Sequence, residues 1–276
     1  MSLLYQGAIR FFIHAPNVLL SALFCLAYPL YKRLHTKRAW GRVQKHLIKT
    51  GLCTRTTPRA VFSNLYWNYI DSVRYLARTP RTCNHVTYEN EKLLTDTLAQ
   101  GTPVVALSIH QGAFEMLHRS LCRYSSHVHL FTHAFPNEAL TQNLRTLRAN
   151  PHLEEHNTTE VAAVIKAFFC DKGILALVVD QAQNSHGNAI TLLGLPSTLY
   201  LKLPLRVNQM GAAIITFRTF RTEKGHTIRF ERLYAPHTEE SLITIGISAE
   251  VNTWILEHPE QWTWNYHGNF VPPPTQ

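Results

Sequence analysis

Histidine at position 110 and glutamate at position 115 stand five residues apart in the stretch Ser-Ile-His-Gln-Gly-Ala-Phe-Glu, Ser108 to Glu115. An imidazole gives or takes a proton near neutral pH, and a carboxylate within reach fixes its tautomer and stabilises its charged form. His110 follows a short apolar run, Pro103 to Leu107, that reads as a buried strand, and Glu115 falls in the first turns of the helix expected next. Gly112 between them permits a sharp backbone turn and close approach of a ligand. On spacing alone, Glu115 is placed to reach back to one ring nitrogen and leave the other as a general base. Backbone N–H groups at the helix start would favour developing negative charge. The plainer meaning is a histidine satisfied by a capping interaction at a strand end.

Asp180 closes a second apolar run, Gly173 to Asp180, and Gln181 follows it. Asp180 is suited to bind an acceptor, to hold a neighbouring side chain, or to cap a turn. Arg145 and Arg148 lie three apart on an expected helix and so share a face fit for phosphate, although a solvated face is the commoner meaning of such a pair. His127, His129 and His133 invite a metal test, but no cysteine or acidic residue stands at a characteristic ligand spacing, so no metal is expected. Neither a Gly-x-Ser-x-Gly elbow nor a phosphate-cradling glycine loop is present, which disfavours hydrolases and nucleotidases built on those motifs.

The elements that must position these residues alternate. A helix is expected over about 59–79, from the recurrence of Phe62, Leu65, Tyr66, Tyr69, Ile70, Val73 and Leu76. Beyond it, strands at about 103–110, 127–133 and 173–180 alternate with helices at about 113–123, 137–149 and 159–171. An extended Ala189–Leu193, a helix over about 197–210, two strands (Ala212–Phe220 and Thr227–Tyr234) and a last helix over about 239–257 complete the chain. This order implies an α/β fold with a mostly parallel central sheet flanked by helices. In such sheets ligands gather beyond the carboxyl ends of strands, where His110 and Asp180 both fall.

Charge is distributed unevenly. The net charge is +9, yet no acidic residue precedes Asp71 while ten Lys or Arg do. The basic stretch 32–49 directly follows the apolar Val18–Tyr31, and that juxtaposition favours a membrane surface over nucleic acid. The apolar segment is short for a span, so it either crosses with help from upstream residues or lies in the interface, and a buried core helix is the third reading. Five widely spaced cysteines, odd in number, read as reduced thiols facing a cytosol.

Four motifs in order resemble the bacterial lipid A late acyltransferases, a family that includes phosphatidylinositol mannoside acyltransferases. They are His110-x4-Glu115 after a strand, Asp180-Gln181 at a strand end, Leu192-Leu193-Gly194-Leu195-Pro196-Ser197-Thr198, and Pro259-Glu260-Gln261-Trp262 near the end. The likeness runs over nearly the whole chain. It implies a glycerolipid-acyltransferase-like fold, with a membrane-anchoring segment over residues 1–33 and an acyltransferase domain over 34–276 whose 34–80 part is basic and helical. It also implies transfer of a fatty acyl chain from acyl carrier protein or coenzyme A to a hydroxyl of a glycolipid or phospholipid, with no cofactor beyond that acyl donor. The setting it implies is lipopolysaccharide synthesis on the cytoplasmic face of the bacterial inner membrane, with membrane lipids and acyl carrier protein as partners. His110 and Glu115 take the catalytic positions, and Arg145, Arg148, Asp180 and Gln181 the substrate side. Two other classes stand beside it: a lipid or thioester hydrolase, and a non-catalytic lipid-binding protein on the same scaffold. Ala113 stands where the family usually has Asn, and Gly268-Asn269 where it has an arginine pair, which points to a different acceptor.

Overall fold

The computed structural model describes residues 2–132, 138–181 and 187–264. Three N-terminal helices, α1 (Ser2–His14), α2 (Asn17–His35) and α3 (Ala39–Lys49), precede a short 3-10 turn at Leu52–Thr54 and the long α4 (Pro58–Leu76). Thr57 caps α4 by accepting from the Ala60 N–H at 3.2 Å, and Pro58 occupies its first position, where no N–H is needed. A single turn, α5 (Pro80–Cys83), leads into the sheet region.

There the order is β1 (Val86–Glu89), α6 (Lys92–Ala99), β2 (Val104–Ser108), α7 (Glu115–Leu121), β3 (Val128–Phe131), α8 (Glu138–Arg148), β4 (Leu153–His156), α9 (Val161–Asp171) and β5 (Ile174–Val178). A hairpin of β6 (Asn188–Leu192) and β7 (Leu195–Leu199) follows, then α10 (Lys202–Gln209), β8 (Ala213–Thr222), β9 (Gly225–Tyr234) and α11 (Glu240–Glu257). Among the described residues seven strands form one sheet in the order β1-β9-β8-β2-β5-β3-β4, parallel throughout except for the antiparallel β8–β9 pair. All five residues of β2 are buried, as a central strand covered on both faces requires. One apolar core on one face includes Leu107, Phe168, Leu177 and Trp254, and the core on the other includes Met116, Leu121, Val128 and Phe230. The mostly parallel, helix-flanked α/β architecture expected from the alternation is therefore present.

Three features depart from the expectation. The stretch 197–210 is not one helix: Ser197–Leu199 pairs antiparallel with Asn188–Ile190, and the helix begins only at Lys202. The turn that makes this hairpin places both Leu193 and Gly194 at positive φ, a conformation that leucine does not advertise. β1 and β4 were not legible either. β4 reads Leu-Glu-Glu-His, an edge strand whose charges leave no apolar alternation to detect.

The N-terminal helices dock onto α4. Buried Arg74 donates to the Phe12 and Ala15 carbonyls at 3.0 and 2.7 Å and to Asn17 Oδ1 at 2.8 Å, and Tyr66 donates to the Leu20 carbonyl at 2.9 Å. Leu20 is the buried side chain of α2, while Val18, Leu26, Leu30 and Leu34 stand more than half exposed, so α2 is not a core helix. Among the described residues no helix is long and apolar enough to cross a membrane.

Candidate active site

β2 and β5 are adjacent and parallel in register, Ser108 opposite Val178, so the residues just beyond each strand meet. There Asp180 Oδ1 lies 2.6 Å from His110 Nδ1. The backbone N–H of His110 also points at this carboxylate, 3.2 Å from Oδ1 and 3.1 Å from Oδ2. The indole N–H of Trp262 donates to Oδ2 at 2.9 Å. Asp180 is almost fully buried, and a carboxylate so placed is tolerable only with donors on both oxygens, which it has. The result is an imidazole locked in one orientation, with Nδ1 carrying the proton toward the carboxylate. Phe114 packs edge-on against the ring, centroids 4.7 Å apart.

The backbone around His110 is clamped by the chain's last described residues. The Thr263 N–H donates to the His110 carbonyl at 2.9 Å, and its hydroxyl donates to the same oxygen. The Gly112 N–H donates to the Gln261 carbonyl at 2.9 Å, and Gln111 Nε2 donates to the Trp254 carbonyl at 2.7 Å. The Gln261 side chain bridges the Arg221 backbone, accepting from its N–H at 2.7 Å and donating to its carbonyl at 3.0 Å. Gly112 is required twice over. Its φ is +57°, and a Cβ there would fall 2.5 Å from the Thr219 carbonyl oxygen.

Glu115 opens α7, but it does not pair with His110 Nδ1, whose partner is Asp180. Its carboxylate is turned to Arg148 of α8, which donates through Nε to Oε2 at 2.9 Å and through Nη2 to Oε1 at 2.6 Å. The third nitrogen of Arg148 faces Glu155 Oε2 at 3.6 Å. Burial pushes the Glu115 carboxyl up. The Arg148 charge and hydrogen bonds, with His118 and His110, outweigh burial and hold it below the usual glutamate value. His118, one turn on, is buried and driven down to about 4. Arg148 is buried but Arg145 is exposed, so the two do not share one phosphate-binding face. Gln181 is exposed beside Asp180.

Gln261, Trp262 and Thr263, for which residue type and spacing suggest no role, each contact the His110 turn or its Asp180 partner. A tryptophan-rich tail far from His110 in sequence was the only signal. His133 and Gly268-Asn269 lie outside the described residues. All five cysteines are free thiols.

A histidine braced by a buried carboxylate at the carboxyl ends of two parallel strands defines an α/β protein equipped for proton transfer. A family model for bacterial lipid A biosynthesis acyltransferases matches residues 59–267, which takes in all but the first residue of α4, the whole sheet and the Trp262 tail. The chain belongs to that family and is an acyltransferase. No curated protein matches it.

Proposed function

We propose that the enzyme carries a fatty acyl group from an acyl thioester to a hydroxyl of a glycolipid or phospholipid, with His110 as general base. The observation that carries this reading is the 2.6 Å contact of His110 Nδ1 with Asp180. With that nitrogen held, Nε2 takes the proton of the acceptor hydroxyl as its oxygen attacks the thioester carbonyl. The tetrahedral intermediate collapses with cleavage of the C–S bond, and the imidazolium returns the proton to the departing thiolate. Proton transfer of this kind contributes about 10²–10⁴-fold, and Asp180 stabilises the imidazolium formed between these steps. Arg148 is engaged by Glu115 and Glu155 and so braces Glu115, while exposed Arg145 and Gln181 remain for the acceptor headgroup.

The protein would work at the cytoplasmic face of the inner membrane. Val18, Leu26, Leu30 and Leu34 recur at helical spacing on α2 and are exposed, and seven cations at 32–49 follow, a pattern suited to lying in an anionic interface. Acyl carrier protein, itself acidic, suits the same basic surface better than coenzyme A does.

The test uses full-length protein in mixed micelles, with acyl carrier protein or coenzyme A as donor and lipid A precursors or phospholipids as acceptor, read by mass spectrometry. Acylated lipid that vanishes in His110→Ala supports the reading. Free fatty acid at the same rate with and without acceptor would mark a hydrolase instead. No turnover with any donor and acceptor would leave only lipid binding.

A further inference from the structure

The sheet edge opposite β1 carries a cluster that the acyl-transfer reading does not use. His129 on β3 is in register with Glu154 on β4, and His156 lies two residues further along β4, so the three side chains share one face of the edge. His129 Nδ1 is 3.1 Å from His156 Nε2, and Glu154 Oε2 is 3.7 Å from each of those nitrogens. A point equidistant from the three atoms lies about 2 Å from each, the bond length of zinc to imidazole nitrogen and carboxylate oxygen.

We propose that the β3–β4 edge binds one zinc-class divalent cation through His129 Nδ1, Glu154 Oε2 and His156 Nε2. The donor set decides the class. Two imidazoles and one carboxylate suit zinc and its transition-metal neighbours, whereas calcium and magnesium require oxygen cages. Three protein ligands leave a fourth position for water, on the side where Glu154 is 56% exposed. The outer surroundings fit as well. His129 is fully buried, and its second nitrogen has no hydrogen-bond partner but faces Asp171 Oδ2 of α9 at 3.6 Å. A carboxylate behind the far nitrogen of a ligand histidine fixes the tautomer that presents the near nitrogen to the ion.

The ion would not take part in acyl transfer. His129 is level with Leu175 of β5, and Leu175 with Val105 of β2, five residues before His110. That is about 17 Å of strand, and two strands across. Its role is to staple edge strand β4 to β3 and, through Asp171, to α9. Glu154 and His156 flank Glu155, which faces Arg148 from the other side of the strand. The staple therefore also holds the residue that backs the Arg148–Glu115 pair.

Full-length protein stripped with a chelator and titrated with Co²⁺, then Zn²⁺, tests this. The expected result is one equivalent bound, with the intense visible bands of four-coordinate Co²⁺, displaced by Zn²⁺, and a rise in melting temperature. Glu154→Gln, at an exposed side chain, and His156→Gln, at a half-buried one, should each weaken Zn²⁺ binding at least tenfold, and Asp171→Asn by about 10–100-fold, with circular dichroism unchanged. Weak octahedral Co²⁺ bands, no binding, or Zn²⁺ binding unaltered in the Glu154→Gln/His156→Gln double variant would each overturn the proposal. None of these readouts depends on acyl transfer.

Discussion

Asp180 and Glu115 both lie at the end of the sheet where β2 and β5 stop, and each holds a basic partner at 2.6 Å. Asp180 holds an imidazole, and Glu115 holds a guanidinium in a two-bond fork. The partner decides what each pair can do. An imidazole changes charge near neutral pH, so a carboxylate against it tunes a proton acceptor. A guanidinium keeps its proton, so a carboxylate against it is a brace between α7 and α8. Two pairs of similar geometry are therefore suited to different work, proton transfer in one case and bracing in the other. Variants separate them by whether activity or stability suffers first.

The largest expected effect is on transfer by His110→Ala, which should fall by at least about 10²–10⁴-fold while the melting temperature stays near that of the parent. A folded His110→Ala enzyme with near-normal transfer would remove the His110–Asp180 pair from the chemistry. Asp180→Asn should follow, lowering kcat by up to about 10⁴-fold because the amide no longer compels the productive tautomer. Trp262→Phe, which removes the indole N–H from Oδ2 but leaves the His110 N–H there, should cost less than Asp180→Asn. Equal losses would show that the tail does more than orient the carboxylate.

The brace should fail differently. Arg148→Met leaves Glu115 largely buried without its partner and should cost about 3 kcal/mol in denaturant unfolding, with much of it recovered in Glu115→Gln/Arg148→Met. A large loss of kcat in that recovered double variant would give Glu115 a catalytic part after all.

Acid sharpens the same contrast. The depressed Glu115 carboxyl contributes stability that is present above the ordinary glutamate range and is lost as pH falls through its lowered folded value. His118, ordinarily near 6.5 and here about 4, adds to this. Between those values the unfolded chain takes up a proton that the folded one refuses, so stability falls with pH there, by on the order of 3 kcal/mol in total. His118→Leu should flatten the stability profile between pH 6.5 and 4, and an unchanged profile would place the acid lability elsewhere. The smallest effect belongs to Arg145→Ala. It should change stability by less than about 0.5 kcal/mol, and a rise in KM for a phosphorylated acceptor with kcat unchanged would mark it as a headgroup contact.

Much of the sheet was legible because buried parallel strands announce themselves. Val104–Leu107 and Ile174–Val178 are continuous apolar runs, and each delivers a polar residue just beyond its carboxyl end, where ligands gather in such sheets. The strands that escaped notice lie at the edges or turn through unusual backbone. Leu153–His156 carries three polar side chains in four residues, and the β6–β7 hairpin turns on a leucine at positive φ. The site was half legible. His110 and Asp180 could each be singled out, but spacing favoured Glu115 as the imidazole's partner because it is five residues away rather than seventy.

The sequence by itself determined the class of the molecule: alternating strands and helices, the histidine and aspartate at strand ends, the glycine that lets the chain turn between them, and the basic segment behind an apolar one. All of these depend on local periodicity or on the conformational freedom of one residue, which neighbours in the chain can specify. Tertiary structure alone decided the pairings. Asp180 reaches His110 because β5 lies beside β2, Arg148 reaches Glu115 because α8 packs near α7, and Trp262 reaches Asp180 because the tail returns to the end of the sheet. Hydrogen bonds form between groups a few ångströms apart in space, and crossover connections of dozens of residues separate those groups along the chain.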